Sequence, residues 1–278
     1  AAHVYMIKRI KRISARALSV LRKHMCSGKF ETLGSEITFG SGELPAIEIK
    51  MPNGRELLLR GKIDRVDIYR KDGSCYVKII DYKSGKKDFS LSDIYYGLQL
   101  QLLLYMDAFL KTGKILTEDE PDVGGVFYFR IMDPIIKASE LKENSPETAL
   151  YKQFRMTGLA CSDADILEAL DTALETGARS DIINISIRKD GNISGSAVGR
   201  SEYEKIMEFS ADKAGELGQN ILEGDVSISP VINGGIMTCD YCEYKSVCCF
   251  DPKNGNEARK LKHLSSDEVW DNILSGKK

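Results

Sequence analysis

The sequence contains no run that approaches the ~20 consecutive apolar residues of a membrane-spanning helix, and it has only seven prolines in 278 residues. Its first residues lack a signal-peptide pattern, so we expect a cytoplasmic protein. The motif G-x-x-x-x-G-K-[ST] is also absent, which excludes a phosphate-binding loop of that type within this stretch. The net charge is −2, so overall composition does not point to a polyanionic partner.

Charge is nevertheless unevenly distributed along the chain. Residues 1–30 contain no aspartate or glutamate and eight basic residues, namely Lys8, Arg9, Lys11, Arg12, Arg16, Arg22, Lys23 and Lys29. This pattern is typical either of the solvated face of a helix or of a surface that faces a polyanion. The opening stretch AAHVYMIKRIKR enters a helical pattern without an initiating methionine, so we expect the chain to be part of a longer protein.

Hydrophobic periodicity predicts a mixed α/β chain that begins with a helix over residues 4–25. Two later runs, 56–69 and 75–83, predict a β-hairpin around a Lys71-Asp72-Gly73 turn. Ser92 is a predicted N-cap for the leucine-rich helix that follows. This order of helix, strands, helix and strand indicates one core with a central sheet.

The predicted hairpin brings several charged side chains to one end of the sheet. Side chains two residues apart on a strand share a face, so Asp81 and Lys83 point the same way. The expected register places Asp64 opposite Ile79 or Ile80, within a residue or two of Asp81. Two converging aspartates repel each other unless a hard divalent ion with oxygen ligands lies between them.

This arrangement predicts metal-assisted hydrolysis of a phosphodiester. Mg²⁺ held by one or two carboxylates accepts phosphate oxygens, and a lysine beside it can orient the attacking water or stabilise developing charge. Gln101 and Tyr105 lie at i and i+4 on one helical face and are candidates for the same site. The alternatives are a surface Asp–Lys pair at a strand end and a locally satisfied polar pair in the core.

Three segments in this order, GKIDR (61–65), IIDYKSG (79–85) and QLLLY (101–105), resemble the RecB-type nucleases of the PD-(D/E)xK superfamily. The wider sequence, including FRMTGL (154–159) and CDYCEYKSVCCFD (239–251), is similar to the branch found in B subunits of bacterial AddAB-type ATP-dependent helicase/nucleases. The resemblance implies a restriction-endonuclease-like α/β fold, with a mixed central sheet flanked by helices, a helical insertion and a cysteine-bearing tail.

The resemblance also implies roles for individual residues. Asp64 and Asp81 would bind Mg²⁺, together with the backbone carbonyl of Tyr82. Lys83 would be the catalytic lysine, and Gln101 and Tyr105 would complete the catalytic set. The implied organisation is a nuclease core over 1–132, an extension of the same domain over 133–235, and a cysteine segment with a C-terminal helix over 236–278.

Members of this branch carry a further metal ligand, a histidine or an acid, on an upstream helix. His24 is the nearest imidazole but lies at the wrong end of its predicted helix, and Glu36 begins a predicted strand. We therefore expect this ligand to lie before residue 1, which would leave the chain alone catalytically incomplete.

Four of the seven cysteines lie between residues 239 and 249. The spacing Cys239-x2-Cys242-x5-Cys248 suits either a zinc ion or an iron–sulfur cluster, and Cys249 is too close to Cys248 for both to bind one compact centre. The resemblance implies that these three cysteines are ligands of a [4Fe–4S] cluster. Its fourth cysteine ligand would lie upstream, outside this chain.

Basic residues around the predicted site are suited to contact DNA phosphates without sequence specificity; these are Arg60, Lys62, Arg65, Lys86 and Lys87. The resemblance implies an exonuclease domain that cuts single strands from unwound duplex ends, with the 5′-ended strand as the expected target. The implied partner is an AddA-type helicase/nuclease subunit in a heterodimer. Two alternatives are a non-catalytic DNA-holding module with the same fold and a zinc-stabilised DNA-binding protein.

Overall fold

The computed structural model describes residues 2–85, 87–139 and 145–276. The helices of these parts are α1 (Ala2–Ser27), α2 (Leu91–Tyr95), α3 (Gln101–Thr112), α4 (Lys114–Thr117), α5 (Pro146–Gln153), α6 (Ala164–Leu170), α7 (Arg200–Leu222), α8 (Lys245–Cys248) and α9 (Ser266–Leu274). The strands are β1 (Glu31–Phe39), β2 (Ile47–Lys50), β3 (Glu56–Leu59), β4 (Gly61–Lys71), β5 (Ser74–Lys83), β6 (Pro121–Arg130), β7 (Thr157–Cys161), β8 (Ile185–Ile187), β9 (Ile193–Gly195), β10 (Ala197–Val198), β11 (Val231–Asn233), β12 (Ile236–Met237) and β13 (Arg259–Lys260).

A six-stranded mixed sheet forms the centre of the molecule, in the order β1-β4-β5-β6-β7-β10. The β5–β6 and β7–β10 pairs are parallel and the other pairs are antiparallel. The predicted mixed sheet with flanking helices is therefore confirmed. Strands β7 and β10 lie within residues 133–235, so this segment contributes two strands to the central sheet.

Helices pack on both faces of this sheet. On β5, the odd-numbered side chains Asp81 and Lys83 face α3, where Lys83 Nζ donates to Gln101 Oε1. The even-numbered Tyr82 packs edge-to-face on Phe129, and Phe129 in turn contacts His24 of α1. The sheet is thus covered by α3 on the face of the predicted site and by α1 on the other.

The hairpin differs by one or two residues from the predicted register. Its turn contains only Asp72 and Gly73, both with positive φ (49° and 80°), and Lys71 pairs directly with Ser74. Positive φ at both central residues is the geometry of a tight two-residue hairpin turn. The last pair in the ladder is Arg65 with Ile80, so the next step places Asp64 opposite Asp81 rather than opposite Ile79 or Ile80.

The helix predicted from Ser92 is divided into two. Ser90, not Ser92, is the N-cap of α2, and its side chain accepts a hydrogen bond from the Asp93 N–H. Gly97 has a φ of +78°, which ends α2, and α3 begins at Gln101. The change of direction places Gln101 in the first turn of α3, close to the end of β5.

None of the helices in the described ranges combines the length and the apolar character needed to cross a membrane.

Candidate active site

The ends of β4 and β5 bring two carboxylates together. Asp81 is buried and Asp64 is half-buried, and Asp64 Oδ2 accepts a hydrogen bond of 2.9 Å from the backbone N–H of Tyr82. That bond fixes the Asp64 carboxylate across the ladder from Asp81. The convergence predicted from the sequence is present, and it is closer than the predicted register implied.

Lys83 lies at the centre of a chain of polar contacts. Its Nζ is 2.6 Å from Asp81 Oδ2 and donates to Gln101 Oε1 at 3.1 Å. The Gln101 amide nitrogen donates to the Tyr105 hydroxyl at 2.8 Å. The five residues Asp64, Asp81, Lys83, Gln101 and Tyr105 therefore form one cluster on one face of the sheet.

The electrostatics of Asp81 suit a bound cation. Burial raises the pKa of its carboxyl, and the Asp64 carboxylate adds to this, while the Lys83 ammonium opposes it. Among the described residues, no donor is aligned for a hydrogen bond to buried Asp81 Oδ2, although Lys83 Nζ is close to it. Two adjacent carboxylates with spare oxygen lone pairs match the ligand preference of Mg²⁺, which is commonly held by one or two carboxylates and waters.

Comparison with known proteins agrees with this geometry. Residues 1–249 match the profile of the PD-(D/E)XK nuclease superfamily. The chain belongs to this superfamily. The B subunits of the ATP-dependent helicase/deoxyribonucleases from Alkaliphilus oremlandii and Alkaliphilus metalliredigens are each 40% identical to it over 97% of its length. The B component of the same enzyme from Clostridium kluyveri is 35% identical over 97%. The chain spans about a quarter (24%) of each relative.

Exposed cations flank the candidate site along the chain, before and within β4 and in the loop after β5. Lys62 on β4 has the same strand parity as Asp64 and is exposed, and its Nζ is 3.0 Å from Glu36 Oε2. Arg60 immediately precedes β4 and is also exposed. Lys87 is exposed, and its charge acts to lower the pKa of Asp81. Lys86, also predicted to contact DNA, lies outside the described residues.

Arg65 conflicts with its predicted role as a DNA contact. Its guanidinium is buried and donates to both carboxylate oxygens of Asp67, at 2.6 and 3.0 Å. Lys78 Nζ lies 3.0 Å from Asp67 Oδ2 in the same buried cluster. Adjacent strand residues point to opposite faces, so Arg65 lies on the face covered by α1, away from Asp64.

Of the two residues considered as an upstream metal ligand, His24 lies away from the two aspartates, whereas Glu36 stands between the β1 residues that pair with Arg65 and Ile63, on either side of Asp64. His24 is buried on the α1 side, where burial and the charges of Lys78 and Lys23 lower its pKa to about 4. Glu36 is exposed and ion-paired with Lys62. The prediction that this ligand is supplied from outside the chain stays a prediction.

The cysteine segment folds against residues 226–230. Cys239, Cys242 and Cys248 all line one cleft of about 290 Å³, so the three predicted ligands share a surface. Within the described ranges, however, no three His, Cys, Asp or Glu side chains are arranged to hold a metal ion. The described residues alone therefore do not form a closed cluster site.

Sequence analysis missed Gln99, which organises the loop beside the site. Gln99 is buried; its Oε1 accepts from the Ser90 N–H, and its Nε2 donates to the Asp88 carbonyl and to Asp93 Oδ2. The available signal was a second glutamine in a leucine-rich segment two residues after Gly97.

Proposed function

We propose that this chain is a Mg²⁺-dependent deoxyribonuclease domain that hydrolyses phosphodiester bonds in single DNA strands. The observation that carries the proposal is the cluster in which Lys83 contacts both Asp81 Oδ2 and Gln101 Oε1, next to Asp64. A lone surface ion pair would not require a buried carboxylate, a second carboxylate opposite it and a glutamine that orients the lysine.

The proposed roles combine these contacts with what the family resemblance implies. Asp64 and Asp81 would hold Mg²⁺, with the Tyr82 carbonyl as the further ligand that the family resemblance implies. Bound Mg²⁺ supplies a Lewis acid for the phosphate and lowers the pKa of coordinated water. Lys83 stabilises the charge that develops on the phosphate, and Gln101 and Tyr105 fix the orientation of its ammonium group.

The proposed substrate is a single DNA strand released from an unwound duplex end, with the 5′-ended strand as the expected target. Exposed Arg60, Lys62 and Lys87 supply contacts to the sugar–phosphate backbone, which carry no sequence information. Because the relatives are named as B subunits of a helicase/deoxyribonuclease, we propose that the protein works in the bacterial cytoplasm with an AddA-type partner that delivers the strand.

We also propose that Cys239, Cys242 and Cys248 are three ligands of a [4Fe–4S] cluster in the longer protein. Their common cleft supports this assignment, and the fourth ligand would come from a segment outside this chain. Such a cluster would join distant parts of the protein, as structural metal sites do.

The test is Mg²⁺-dependent cleavage of single-stranded DNA by the full-length protein, assembled with its AddA-type partner, and by its Lys83→Ala variant. Lys111→Ala is the matched control, because Lys111 is an exposed α3 lysine paired with Asp107. We expect Lys83→Ala to abolish cleavage without loss of DNA binding, and we expect Lys111→Ala to cleave as the parent does. Equal cleavage by the parent and both variants would show that Lys83 is not part of the catalytic site. No cleavage by any of the three would favour a DNA-holding module.

A further inference from the structure

A cavity lies on the active-site face of the sheet, beside the catalytic cluster. It has a volume of about 550 Å³ and lies between the loop that enters α2, the edge strand β10 and the beginning of α9. We call it the α2–α9 cleft. This volume falls within the usual range of small-molecule sites, about 300–1,000 Å³.

The cleft is connected to the catalytic cluster across the sheet. Asp81 pairs with Tyr128 on β6, and Tyr128 pairs with Thr157 on β7, so these three side chains share a face. Leu159, two residues further along β7, lines the cleft. The cleft therefore begins two strands from the catalytic carboxylate, on the side away from β4.

A fixed loop joins the two sites. The Phe89 N–H donates to Thr157 Oγ1 at 3.2 Å, and Gln99 binds the backbone of Asp88 and Ser90 on either side of it. Phe89 lines the cleft, whereas Lys87, two residues earlier, is exposed and its charge acts to lower the pKa of Asp81. One short segment after β5 therefore carries both an exposed cation and an aromatic ring that lines the cleft.

The chemistry of the cleft differs from that of the catalytic cluster. No lysine or arginine is found among the described residues that line it; they include two aromatic rings, an imidazole and polar groups able to donate and accept hydrogen bonds, namely Phe89, Trp270, His263, Asn184, Ser196 and Asp267. A phosphate would gain no ion pair there and would be repelled by the Asp267 carboxylate. A nucleobase would gain stacking surface and hydrogen-bond partners.

We propose that the α2–α9 cleft binds nucleobases of the single DNA strand whose phosphates lie at the catalytic cluster. This inference rests on the proposed function. Binding of single strands commonly combines cations for the backbone with aromatic platforms for the bases, and here the two elements are separated by the loop that carries Lys87 and Phe89.

Trp270 is the only tryptophan of the chain, so its fluorescence reports directly on the cleft. The chain is titrated, without divalent metal, with oligothymidylate and with an abasic oligonucleotide of the same length and charge. We expect oligothymidylate to quench Trp270 and the abasic strand to bind about tenfold more weakly without quenching. Tenfold corresponds to about 1.4 kcal/mol, within the range for one stacked base. Quenching by neither strand, or by both equally, would overturn the proposal.

Two variants test the aromatic contact by fluorescence anisotropy of a labelled oligothymidylate. We expect Trp270→Phe to keep most of the affinity and Trp270→Leu to lose about tenfold, while both variants bind the abasic strand as the parent does. An equal loss of affinity for the oligothymidylate and the abasic strand would mean that the substitution acts through the fold. Equal affinities of the parent and both variants for oligothymidylate would show that Trp270 does not contact the bases.

The cleft proposal and the nuclease proposal can fail independently, because the Trp270 and Lys83 experiments measure different properties. If cleavage depends on Lys83 but Trp270 does not respond to DNA, the nuclease proposal stands and the cleft proposal fails. If Lys83→Ala cleaves normally and Trp270 still distinguishes bases from abasic sugar, the cleft remains a base-binding site and the nuclease proposal fails.

Discussion

The Lys83 ammonium is held between an acid and an amide, and the amide is itself held by Tyr105. Asp81 alone could pair with Lys83 in several geometries, because an ion pair has little directional preference. The hydrogen bond to Gln101 Oε1 removes this freedom, and the Tyr105 contact with Gln101 Nε2 sets which amide atom faces the lysine. Gln101 is thus a positioning residue for Lys83.

We expect Gln101→Leu to reduce the cleavage rate about 10–100-fold, which is the usual cost when a partner that orients a reactive group is removed. Single-turnover cleavage of single-stranded DNA by the full-length protein with its partner measures this rate. Gln219→Leu is the control, since Gln219 is a glutamine on α7 far along the chain whose contacts are to Asn53 and Glu223. Equal rates for both variants would contradict the positioning role.

The buried cluster of Arg65, Asp67 and Lys78 acts on stability rather than on catalysis. Asp67 is 0% exposed and contacts both cations, so Asp67→Ala would leave two buried positive charges without their shared partner. We expect the free energy of unfolding to fall by about 3–5 kcal/mol, measured by urea denaturation of this chain. The exposed pair of Arg70 and Asp119 supplies the control, because Asp119→Ala should change the free energy of unfolding by less than about 1 kcal/mol.

Residue-level prediction from the sequence succeeded where strand parity was applied and failed where it was not. Asp81 and Lys83 were assigned to one face because they are two residues apart, and Asp64 joined them through the hairpin. Arg65 was grouped with Asp64 because the two are neighbours in the chain, although alternation places neighbours on opposite faces. The same alternation places Asp67, two residues after Arg65, on the face of Arg65, whereas the burial of this pair and its contact with Lys78 arise only in the folded sheet.

At the scale of elements, the local signals were strong for the hairpin and weak for the helix break. Alternating apolar residues around an Asp-Gly pair specify two strands and a tight turn, and the observed β4–β5 ladder follows them to within one or two residues. A leucine-rich stretch masked the interruption at Gly97, because leucine favours helix on both sides of it. The positive φ of Gly97 is what separates α2 from α3 and gives Gln101 its position.

The close approach of β6 and β7 depends on a glycine. A Cβ atom at Gly158 would lie 1.9 Å from the Val126 carbonyl oxygen, so Gly158→Ala must push the two strands apart. We expect a loss of about 3 kcal/mol in the free energy of unfolding, at the upper end of the range for overpacked cores. Gly85→Ala is the matched control, because a Cβ atom there meets nothing within 4 Å. This variant should change the free energy of unfolding by no more than about 0.5 kcal/mol. Similar losses for the two variants, in the same denaturation experiment, would contradict this account.

At the scale of the whole molecule, the sequence indicated a central mixed sheet but not which distant segments complete it. Strand β10 contains only Ala197 and Val198 and pairs in parallel with β7, a contact without a local sequence signal. The α2–α9 cleft depends on the same long-range arrangement, since its walls come from segments separated by more than a hundred residues along the chain. Such surfaces follow from tertiary packing, which periodicity and turn residues do not encode.

The cysteine segment supplies a test on this largest scale. Cys239, Cys242 and Cys248 line one cleft, whereas the Cys249 thiol points to the Ser246 carbonyl oxygen at 3.3 Å. In the full-length protein prepared anaerobically, we expect Cys248→Ser to lose iron and acid-labile sulfide and Cys249→Ser to retain both. This chain alone should hold neither in stoichiometric amount, because the proposed cluster needs a fourth ligand from outside it. Zinc in place of iron, or equal iron in the two variants, would contradict the assignment of these three thiols to an iron–sulfur cluster.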